Sequence, residues 1–323
     1  MSTPGERLKL VFCGTPQFAV PTLEALIAAG HQVELVVSQP DRPVGRAQTL
    51  TAPPVKQFAL AHGIEVAQPE KIRNNPEFQA RLEAMNLDAI VVVAYGKLLP
   101  PWMLNLPRLG CINLHASLLP KYRGAAPIQW AIANGDHFTG NTTMLMDEGM
   151  DTGMVVLMHN RPIGPNETAE DISRELSVSG AKLVVQTLIR VDRSRFRLRP
   201  QNHELATYAP MLKREDGRMD FAARSARELY DRWRGFQPWP GAFTMLEGKK
   251  LIVHRMAVAV ERGLVPSASA EPGVVRVEDG HLLAACARNT WLELLELQLE
   301  GKKRMTAAEF LRGASLGPNT RLG

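Results

Sequence analysis

Cysteine is scarce in this chain: its 323 residues include three, Cys13, Cys111 and Cys286. They form no Cys-x-x-Cys pair, and such scattered positions are typical of reduced thiols rather than of a disulfide framework. The spacing also argues against a cysteine-based metal site. Reduced thiols indicate a reducing compartment, so we expect a cytoplasmic protein.

Long apolar runs are absent as well. Residues 1–9 are polar and lead directly into an apolar strand, without the apolar core and the cleavage pattern of an export signal. No later stretch has the ~20 apolar residues that a membrane-spanning helix needs. The sequence therefore predicts no membrane association.

Glycine-rich phosphate-binding loops are the third absence. The first predicted strand is followed by Gly14-Thr15-Pro16-Gln17, which has a single glycine where a Gly-x-Gly-x-x-Gly fingerprint needs three. A Walker-type lysine loop is also missing. These absences exclude the common dinucleotide and P-loop nucleotide sites.

The first half alternates apolar runs with helical patterns, which predicts an α/β fold: a Rossmann-like, mostly parallel sheet with helices on both faces. The predicted strands are Leu8–Cys13, Val33–Ser38, Ile64–Ala67, Asp88–Val93, Gly110–His115, Thr139–Met146 and Met154–Arg161. The predicted helices are Gln17–Ala29, Pro54–His62, Pro76–Asn86, Ala126–Asn134 and a long helix near Thr168–Val191.

The second half contains short strands at close spacing, which predicts a smaller OB-like β-barrel. The predicted elements are a helix opened by Ser225-x-x-Glu228, strands Lys249–His254, Gly273–Val277, His281–Ala285 and Trp291–Leu299, and a closing helix opened by Thr306-x-x-Glu309. We expect Trp233, Trp239 and Trp291 in the core of this barrel, and stacking on a nucleic-acid base is the alternative for each. The predicted domains are residues 1–189 and 208–323, joined by an Arg-rich linker, residues 190–207.

Charge is unevenly distributed. The chain has a net charge of +5, and the basic excess lies in residues 190–323. Part of it lies in Arg190, Arg193, Arg195, Arg197 and Arg199. A solvated linker explains such a run, and so does a surface that meets a polyanion such as nucleic acid. The sequence leaves both interpretations open.

An unusually long connection, residues 39–53, follows the second predicted strand. Strand-to-helix loops in such folds usually have about 2–6 residues. This one is rich in proline and carries Arg42, Gly45 and Arg46. It predicts a semi-rigid, exposed arm with positive charge, and a tolerated insertion is the alternative.

The segment Gly110–Pro120 carries polar groups at the end of a predicted strand. Because strand side chains alternate, Asn113 and His115 share one face. The carboxyl ends of strands in open α/β sheets are where ligands bind. A satisfied polar pair and a catalytic pair are both compatible with this pattern, whereas a zinc site would need further ligands nearby.

Three carboxylates and two glycines occur in residues 146–153. A turn that caps itself with side-chain hydrogen bonds is one interpretation, and the spacing does not fit a calcium loop. If Asp151 instead faces His115, it can orient the imidazole ring and favour its protonated form.

Together these segments resemble the signature of the folate-dependent formyltransferases. The matching motifs are Asn113-x-His115, Ser117-Leu-Leu-Pro120, Arg123-Gly-Ala-Ala-Pro-Ile-Gln129 and Asp151-Thr-Gly153. The resemblance covers essentially the whole chain. Further segments resemble the members of that family that act on tRNA: Pro40–Arg46, Thr207–Leu212, Gly217–Asp220 and Phe236–Pro240.

The resemblance implies a reaction: transfer of a formyl group from 10-formyltetrahydrofolate to the α-amino group of methionine on initiator methionyl-tRNA, for translation initiation. It implies no metal and a monomer. It also implies roles for named residues: catalysis by Asn113, His115 and Asp151, binding of the folate donor by Ser117, Leu118, Leu119 and Pro120, and tRNA contact by Arg42, Arg46 and the barrel domain. In related arms lysines often follow Arg46, and here Ala47-Gln48-Thr49 stand in their place.

Other functions remain open at this stage. A member of the family could formylate a glycinamide ribonucleotide or an amino sugar nucleotide, or hydrolyse the folate donor. Those reactions need neither a basic barrel nor an arm bearing Arg42. A tRNA-binding protein with an inactive first domain is the alternative from another class, and the intact set of Asn113, His115 and Asp151 argues against it.

Overall fold

The computed structural model describes residues 7–45, 48–193, 197–266, 269–314, 316–317 and 320–323. The chain divides into two compact units. The first unit comprises Met1–Pro127, Phe138–Pro162 and Asp171–Pro210, and the second comprises Ile128–His137, Ile163–Glu170 and Met211–Gly323. The predicted limits separated the domains between residues 189 and 208, whereas the compact units divide after Pro210 and assign two earlier segments to the second unit.

The helices and strands up to Pro210 follow the predicted alternation. They are β1 Lys9–Gly14, α1 Val20–Ala28, β2 Gln32–Val37, β3 Arg42–Val44, β4 Thr49–Thr51, α2 Pro54–Ala61, β5 Val66–Ala67, α3 Pro76–Glu83, β6 Ala89–Val93, α4 Pro101–Leu104, β7 Cys111–His115, β8 Arg123–Gly124, α5 Pro127–Ala133, β9 Phe138–Leu145, β10 Met154–Pro162, α6 Ala169–Asp192 and β11 Tyr208–Ala209. The elements α4, β3, β4, β8 and β11 were not predicted.

The first unit is built on a seven-stranded sheet with the order β10-β9-β7-β6-β1-β2-β5. The pairs β1–β2, β1–β6, β2–β5 and β6–β7 are parallel, and β7–β9 and β9–β10 are antiparallel. This confirms the predicted mostly parallel sheet. The strand order reverses beside β1, so β1, β6 and β7 end where such folds bind ligands.

Helices cover both faces of this sheet, as predicted. On one face, apolar side chains of α1, α2 and α6, such as Leu23, Val55 and Val184, form a core with the sheet. On the other face, Phe78 of α3 and Met103 of α4 belong to a second core. Each fully buried aliphatic side chain contributes about 1.5–3 kcal/mol, and these two layers hold the strand ends in place.

Helix starts follow the signals that the sequence carries. Asn75 caps α3, because its side-chain oxygen accepts from the backbone N–H of Phe78 at 3.1 Å, and Pro76 occupies the first turn. The predicted helix from Gln17 begins with a 3₁₀ turn, Gln17–Ala19, before α1 continues it. These local rules placed the predicted helices correctly.

The second unit contains a curled antiparallel sheet of the predicted OB-like type. Its elements are α7 Ala226–Gly235, β12 Phe243–Leu246, β13 Lys249–Val258, β14 Val275–Glu278, β15 His281–Cys286, β16 Thr290–Leu299, β17 Met305–Thr306 and α8 Ala307–Gly313. The strand order is β12-β13-β16-β15-β14, and β17 pairs with β16. Capping boxes at Ser225 and Thr306 open α7 and α8, as predicted.

The three tryptophans expected in the barrel core behave differently. Trp291 is buried beside Leu283 and Ala285, and Trp233 packs against the main core of the second unit. The prediction for Trp239 was wrong, because its side chain is 52% exposed. Aromatic character alone does not distinguish a core residue from a surface residue.

Candidate active site

Two polar side chains are presented by β7. Asn113 and His115 alternate with Ile112 and Leu114, which belong to one core of the first unit. Asn113 and His115 therefore share the opposite face, as predicted. Both side chains are buried, at 8% and 6% exposure, so a ligand that contacts them is largely shielded from bulk water.

The His115 ring is fixed by a backbone carbonyl. Its Nε2 lies 2.8 Å from the carbonyl oxygen of Tyr122. Because a carbonyl can only accept, Nε2 carries the hydrogen and donates it. Nδ1 is therefore the ring nitrogen left for chemistry.

Asp151 approaches that second nitrogen. Its Oδ2 lies 3.7 Å from His115 Nδ1 and accepts a hydrogen bond from the backbone N–H of Gly124 at 2.8 Å. The separation of 3.7 Å exceeds the length of a hydrogen bond but leaves the carboxylate beside the ring nitrogen. The residue has the left-handed φ of 54°. The predicted juxtaposition of Asp151 and His115 is present, but the carbonyl of Tyr122 holds the ring more closely.

A second carboxylate organises the turn before Asp151. Asp147 Oδ1 accepts from the backbone N–H of Gly149 at 3.1 Å and from the hydroxyl of Thr152 at 2.5 Å. Gly153 closes the turn, and a Cβ there would lie 1.9 Å from the carbonyl oxygen of Leu145. The self-capping interpretation therefore describes Asp147, and Asp151 is turned to the site.

The Asn113 amide remains available. Among the residues that the structure describes, its side chain has no hydrogen-bond partner. An amide can donate to a substrate oxygen through its NH₂ group. The arrangement offers one amide donor, one imidazole and one carboxylate at the carboxyl end of a parallel strand.

The loop after β7 was predicted to contact a folate. The Ser117 hydroxyl is buried and donates to the carbonyl of Lys121 at 2.6 Å. Thr142 Oγ1 donates to the carbonyl of Ser117 at 2.7 Å and accepts from the N–H of Leu119 at 3.2 Å. Leu118 and Pro120 are half-buried. The loop is thus held rigidly, and Leu118 and Pro120 are its accessible apolar surfaces.

The arm, residues 39–53, contains a hairpin that the sequence did not reveal. β3 pairs antiparallel with β4, which sets Arg42 opposite Thr51, and the Arg42 side chain is exposed. At the base of the arm, Asp41 accepts from Lys56 Nζ at 2.8 Å and from Gln68 Nε2 at 2.7 Å. These hydrogen bonds, that of Lys56 first, lower the pKa of Asp41, so the anchor persists at neutral pH.

Not every predicted residue can be located. Arg46, predicted to contact tRNA, lies outside the described residues, as do Ala47 and Arg195. Within the described part of the chain, no group of three or more His, Cys, Asp or Glu side chains is arranged to hold a metal ion. No described helix is both long and apolar enough to cross a membrane.

Sequence reasoning missed residues that support the site from a distance. Thr142 and Thr207 hold the loops around His115, with Thr207 Oγ1 accepting from the N–H of Tyr122 at 2.9 Å. Gln201 contacts the backbone of Asp151 and Gly153. No local signal predicts these contacts, because they join parts of the chain that are distant in sequence.

Comparisons with known proteins identify the family of this chain. The sequence pattern of the formyl transferase family matches residues 8–188, and that of the formyl transferase C-terminal domain matches residues 211–315. The fold and the site thus define a formyl transferase.

Particular relatives narrow this class. The chain is 60% identical to the methionyl-tRNA formyltransferase of Acidobacterium capsulatum, over 98% of this chain and all of the relative. It is 54% identical to that of Koribacter versatilis, over 97% of this chain and 98% of the relative. The chain belongs to the methionyl-tRNA formyltransferase family.

Solved structures with little sequence identity share the fold. WlaRD, a sugar 3N-formyl transferase solved in the presence of dTDP and 5-N-formyl-THF, has a TM-score of 0.64 at 16% identity, covering 93% of this chain and 100% of its own. HypX from Aquifex aeolicus in complex with tetrahydrofolic acid has a TM-score of 0.61 at 16% identity, covering 97% of this chain and 49% of its own. At this identity the likeness shows the fold alone.

Proposed function

We propose that this chain transfers a formyl group from 10-formyltetrahydrofolate to the α-amino group of methionine on initiator methionyl-tRNA. The observation that carries the proposal is the juxtaposition of three side chains: Asn113 and His115 share one face of β7, and the Asp151 carboxylate lies 3.7 Å from His115 Nδ1. An amide donor, an imidazole and a carboxylate can supply the oxyanion stabilisation and the proton transfer by which acyl transfer to an amine is catalysed.

The first step is attack by the neutral amine on the formyl carbon. Free α-amino groups have a pKa of about 7.7–8.0, and the neighbouring ester lowers it further, so much of the substrate amine is neutral at cellular pH. No strong base is therefore needed to generate the nucleophile. A carbon–nitrogen bond forms, and the carbonyl oxygen becomes an oxyanion.

Asn113 and His115 stabilise this oxyanion. The free amide of Asn113 donates to the oxygen, and His115 donates through Nδ1 when the ring is protonated. Nε2 cannot serve, because it already donates to the carbonyl of Tyr122. Loss of one preorganised donor of this kind typically costs about 100–1,000-fold in turnover.

Asp151 transfers a proton between the two nitrogen atoms of the reaction. The attacking nitrogen must lose one proton, and the departing folate nitrogen must gain one. The Asp151 carboxylate compensates the charge of the protonated ring and relays the proton to the folate nitrogen, directly or through a water molecule. Collapse of the intermediate breaks the bond between the formyl carbon and the folate nitrogen, and yields formyl-methionyl-tRNA and tetrahydrofolate.

The binding roles belong to the same proposal. Ser117, Leu118, Leu119 and Pro120 form the rigid loop for the folate, with Leu118 and Pro120 as its apolar contacts. Arg42 and Arg46 of the arm and the OB-like unit contact the tRNA. We place the reaction in the cytoplasm and expect a monomer.

The acceptor test uses one donor and several acceptors. 10-Formyltetrahydrofolate is supplied with initiator methionyl-tRNA, elongator methionyl-tRNA, an amino sugar nucleotide, or water alone, and the formylated product and tetrahydrofolate are quantified. We expect rapid formylation of the initiator tRNA alone. Formylation of the sugar, or release of tetrahydrofolate without an acceptor, would contradict the proposed substrate.

The arm is tested in the same assay. Arg42→Ala should raise the KM for methionyl-tRNA at least about tenfold, since Arg42 is an exposed cation on an anchored hairpin. Arg174→Ala is the matched control, because Arg174 is an exposed arginine on α6 of the same unit. An unchanged KM in Arg42→Ala would remove Arg42 from the tRNA contact.

A further inference from the structure

A buried glutamine contacts the turn that carries Asp151. Gln201 lies between α6 and β11, in the segment predicted to be a linker, and is 7% exposed. Its Oε1 accepts from Nε and Nη2 of Arg123 at 3.1 and 2.6 Å. Because an arginine side chain can only donate, the orientation of the Gln201 amide is unambiguous.

The opposite end of the amide holds the backbone around Asp151. Gln201 Nε2 donates to the carbonyl oxygens of Asp151 and Gly153, both at 2.8 Å. Both amide hydrogens are thus used. Asp151 has a left-handed φ of 54°, which costs energy in a non-glycine residue and needs support from its surroundings.

The same network reaches the other catalytic groups through the main chain. Arg123 lies between Tyr122, whose carbonyl accepts from His115 Nε2, and Gly124, whose N–H donates to Asp151 Oδ2. Arg123 itself is 2% exposed. The consecutive residues 122–124 therefore contact both the ring and the carboxylate, and Gln201 connects Arg123 in their middle to the Asp151 turn.

We propose that Gln201, held by Arg123, is a positioning residue for formyl transfer: it fixes the Asp151 turn and thereby the distance between the carboxylate and His115. This inference rests on the proposed function. Gln201 contacts the backbone of Asp151 rather than any reacting atom, so its loss should lower turnover while substrate binding persists. A misplacement of about 1 Å at a reacting group can cost about 100-fold in rate.

The test compares Gln201→Glu and Gln201→Met with the native enzyme. Glutamate keeps an acceptor for Arg123 but sets an oxygen against the two carbonyls, whereas methionine keeps the length and removes all four hydrogen bonds. We expect kcat to fall about 10–100-fold, with KM for donor and tRNA within about threefold. Gln186→Glu, at an exposed position on α6, is the control and should leave both parameters unchanged.

NMR of the His115 imidazole distinguishes a change in the position of the site from a general loss of structure. The imidazole resonances of His115, assigned with a His115→Asn variant, should shift in both Gln201 variants and stay in place in Gln186→Glu. A folded variant with native kcat, a fall in kcat without a change in these resonances, or a parallel loss of donor binding would each overturn the positioning role. Failure of the native enzyme to formylate methionyl-tRNA would instead overturn the proposed function, before any variant is compared.

Discussion

The carbonyl oxygen of Tyr122 accepts a hydrogen bond from His115 Nε2 at 2.8 Å. In the proposed mechanism this contact decides which nitrogen of the ring takes part in the reaction. Because Nε2 donates to this carbonyl, Nδ1 is the ring nitrogen that faces the Asp151 carboxylate and that a substrate can contact. Asn113 is then the one neutral donor of the set, which makes it the most informative residue to change.

Asn113→Ala should reduce kcat about 100–1,000-fold and change the KM for the folate donor little, because the amide is expected to bind the oxyanion more strongly than the ground-state carbonyl. Steady-state kinetics with varied donor measure both quantities. Asn160→Ala, at an exposed position of β10, serves as the control. Loss of donor affinity with preserved turnover would refute the oxyanion role.

Gly124→Ala should destabilise the first unit by roughly 2–4 kcal/mol. Gly124 has φ of 117°, and a Cβ there would lie 2.7 Å from the carbonyl oxygen of Ala209. Urea unfolding measures the loss, and activity should fall with it because the Gly124 N–H also binds Asp151. Gly313→Ala meets no atom within 4 Å and should be nearly neutral. Equal stabilities of the two variants would contradict the steric argument.

Glu228→Gln should weaken the acid sensitivity of the second unit. A hydrogen bond from Arg288, followed by one from the backbone N–H of Ser225, lowers the pKa of Glu228 to about 2, against an ordinary value of 4.5. The carboxylate is a stronger acid in the folded state than in the unfolded state. Its contribution to the stability of the folded state is therefore complete above pH 4.5 and is lost as the pH falls toward 2.

The side chain of Glu228 is 42% exposed, so solvent screening limits this contribution to about 1 kcal/mol or less. Urea unfolding at several pH values between 2 and 7 should show a flatter slope below pH 4.5 in Glu228→Gln. Glu247→Gln, at an exposed position, is the control. An unchanged slope in Glu228→Gln would show that the ion pair with Arg288 is not formed in solution.

The three cysteine thiols should be unreactive in the folded protein. Burial raises the pKa of Cys13 well above its ordinary value, and raises the pKa values of Cys111 and Cys286 to about 12. Raised values keep the thiols protonated, and therefore non-nucleophilic, throughout the physiological range. Titration with a disulfide reagent at pH 8 should detect no thiol in the native chain and three in denaturant. Rapid labelling of one native thiol would contradict the buried placement.

Much of the first unit was predictable because its elements follow local rules. Short apolar runs predicted β1, β2, β6 and β7, and Asn75-Pro76 is a typical helix start that matches the start of α3. Other elements were not predicted because they consist of only two to four residues. The strands β8 and β11 are two residues each and exist only because Arg123 meets Tyr208, 85 positions further along the chain.

The candidate site was predictable in part. The alternation along β7 placed Asn113 and His115 on one face, the carboxylates of residues 146–153 offered Asp151 as a partner of His115, and the resemblance to formyltransferases implied its catalytic role. The hairpin in the arm was missed, since its turn region carries no strong hairpin signal. Trp239 was misplaced in a core, because composition does not show which aromatic residues lack neighbours.

By itself, the sequence determined the longer helices and strands and which of their side chains share a face, because strand and helix periodicities depend on neighbouring residues. Tertiary structure alone decided how the site is held together. Gln201 and Asp151 are 50 positions apart, and the carbonyl of Tyr122 is a backbone group that every residue possesses. Such contacts depend on which distant segments the fold brings together, and local sequence patterns do not predict this.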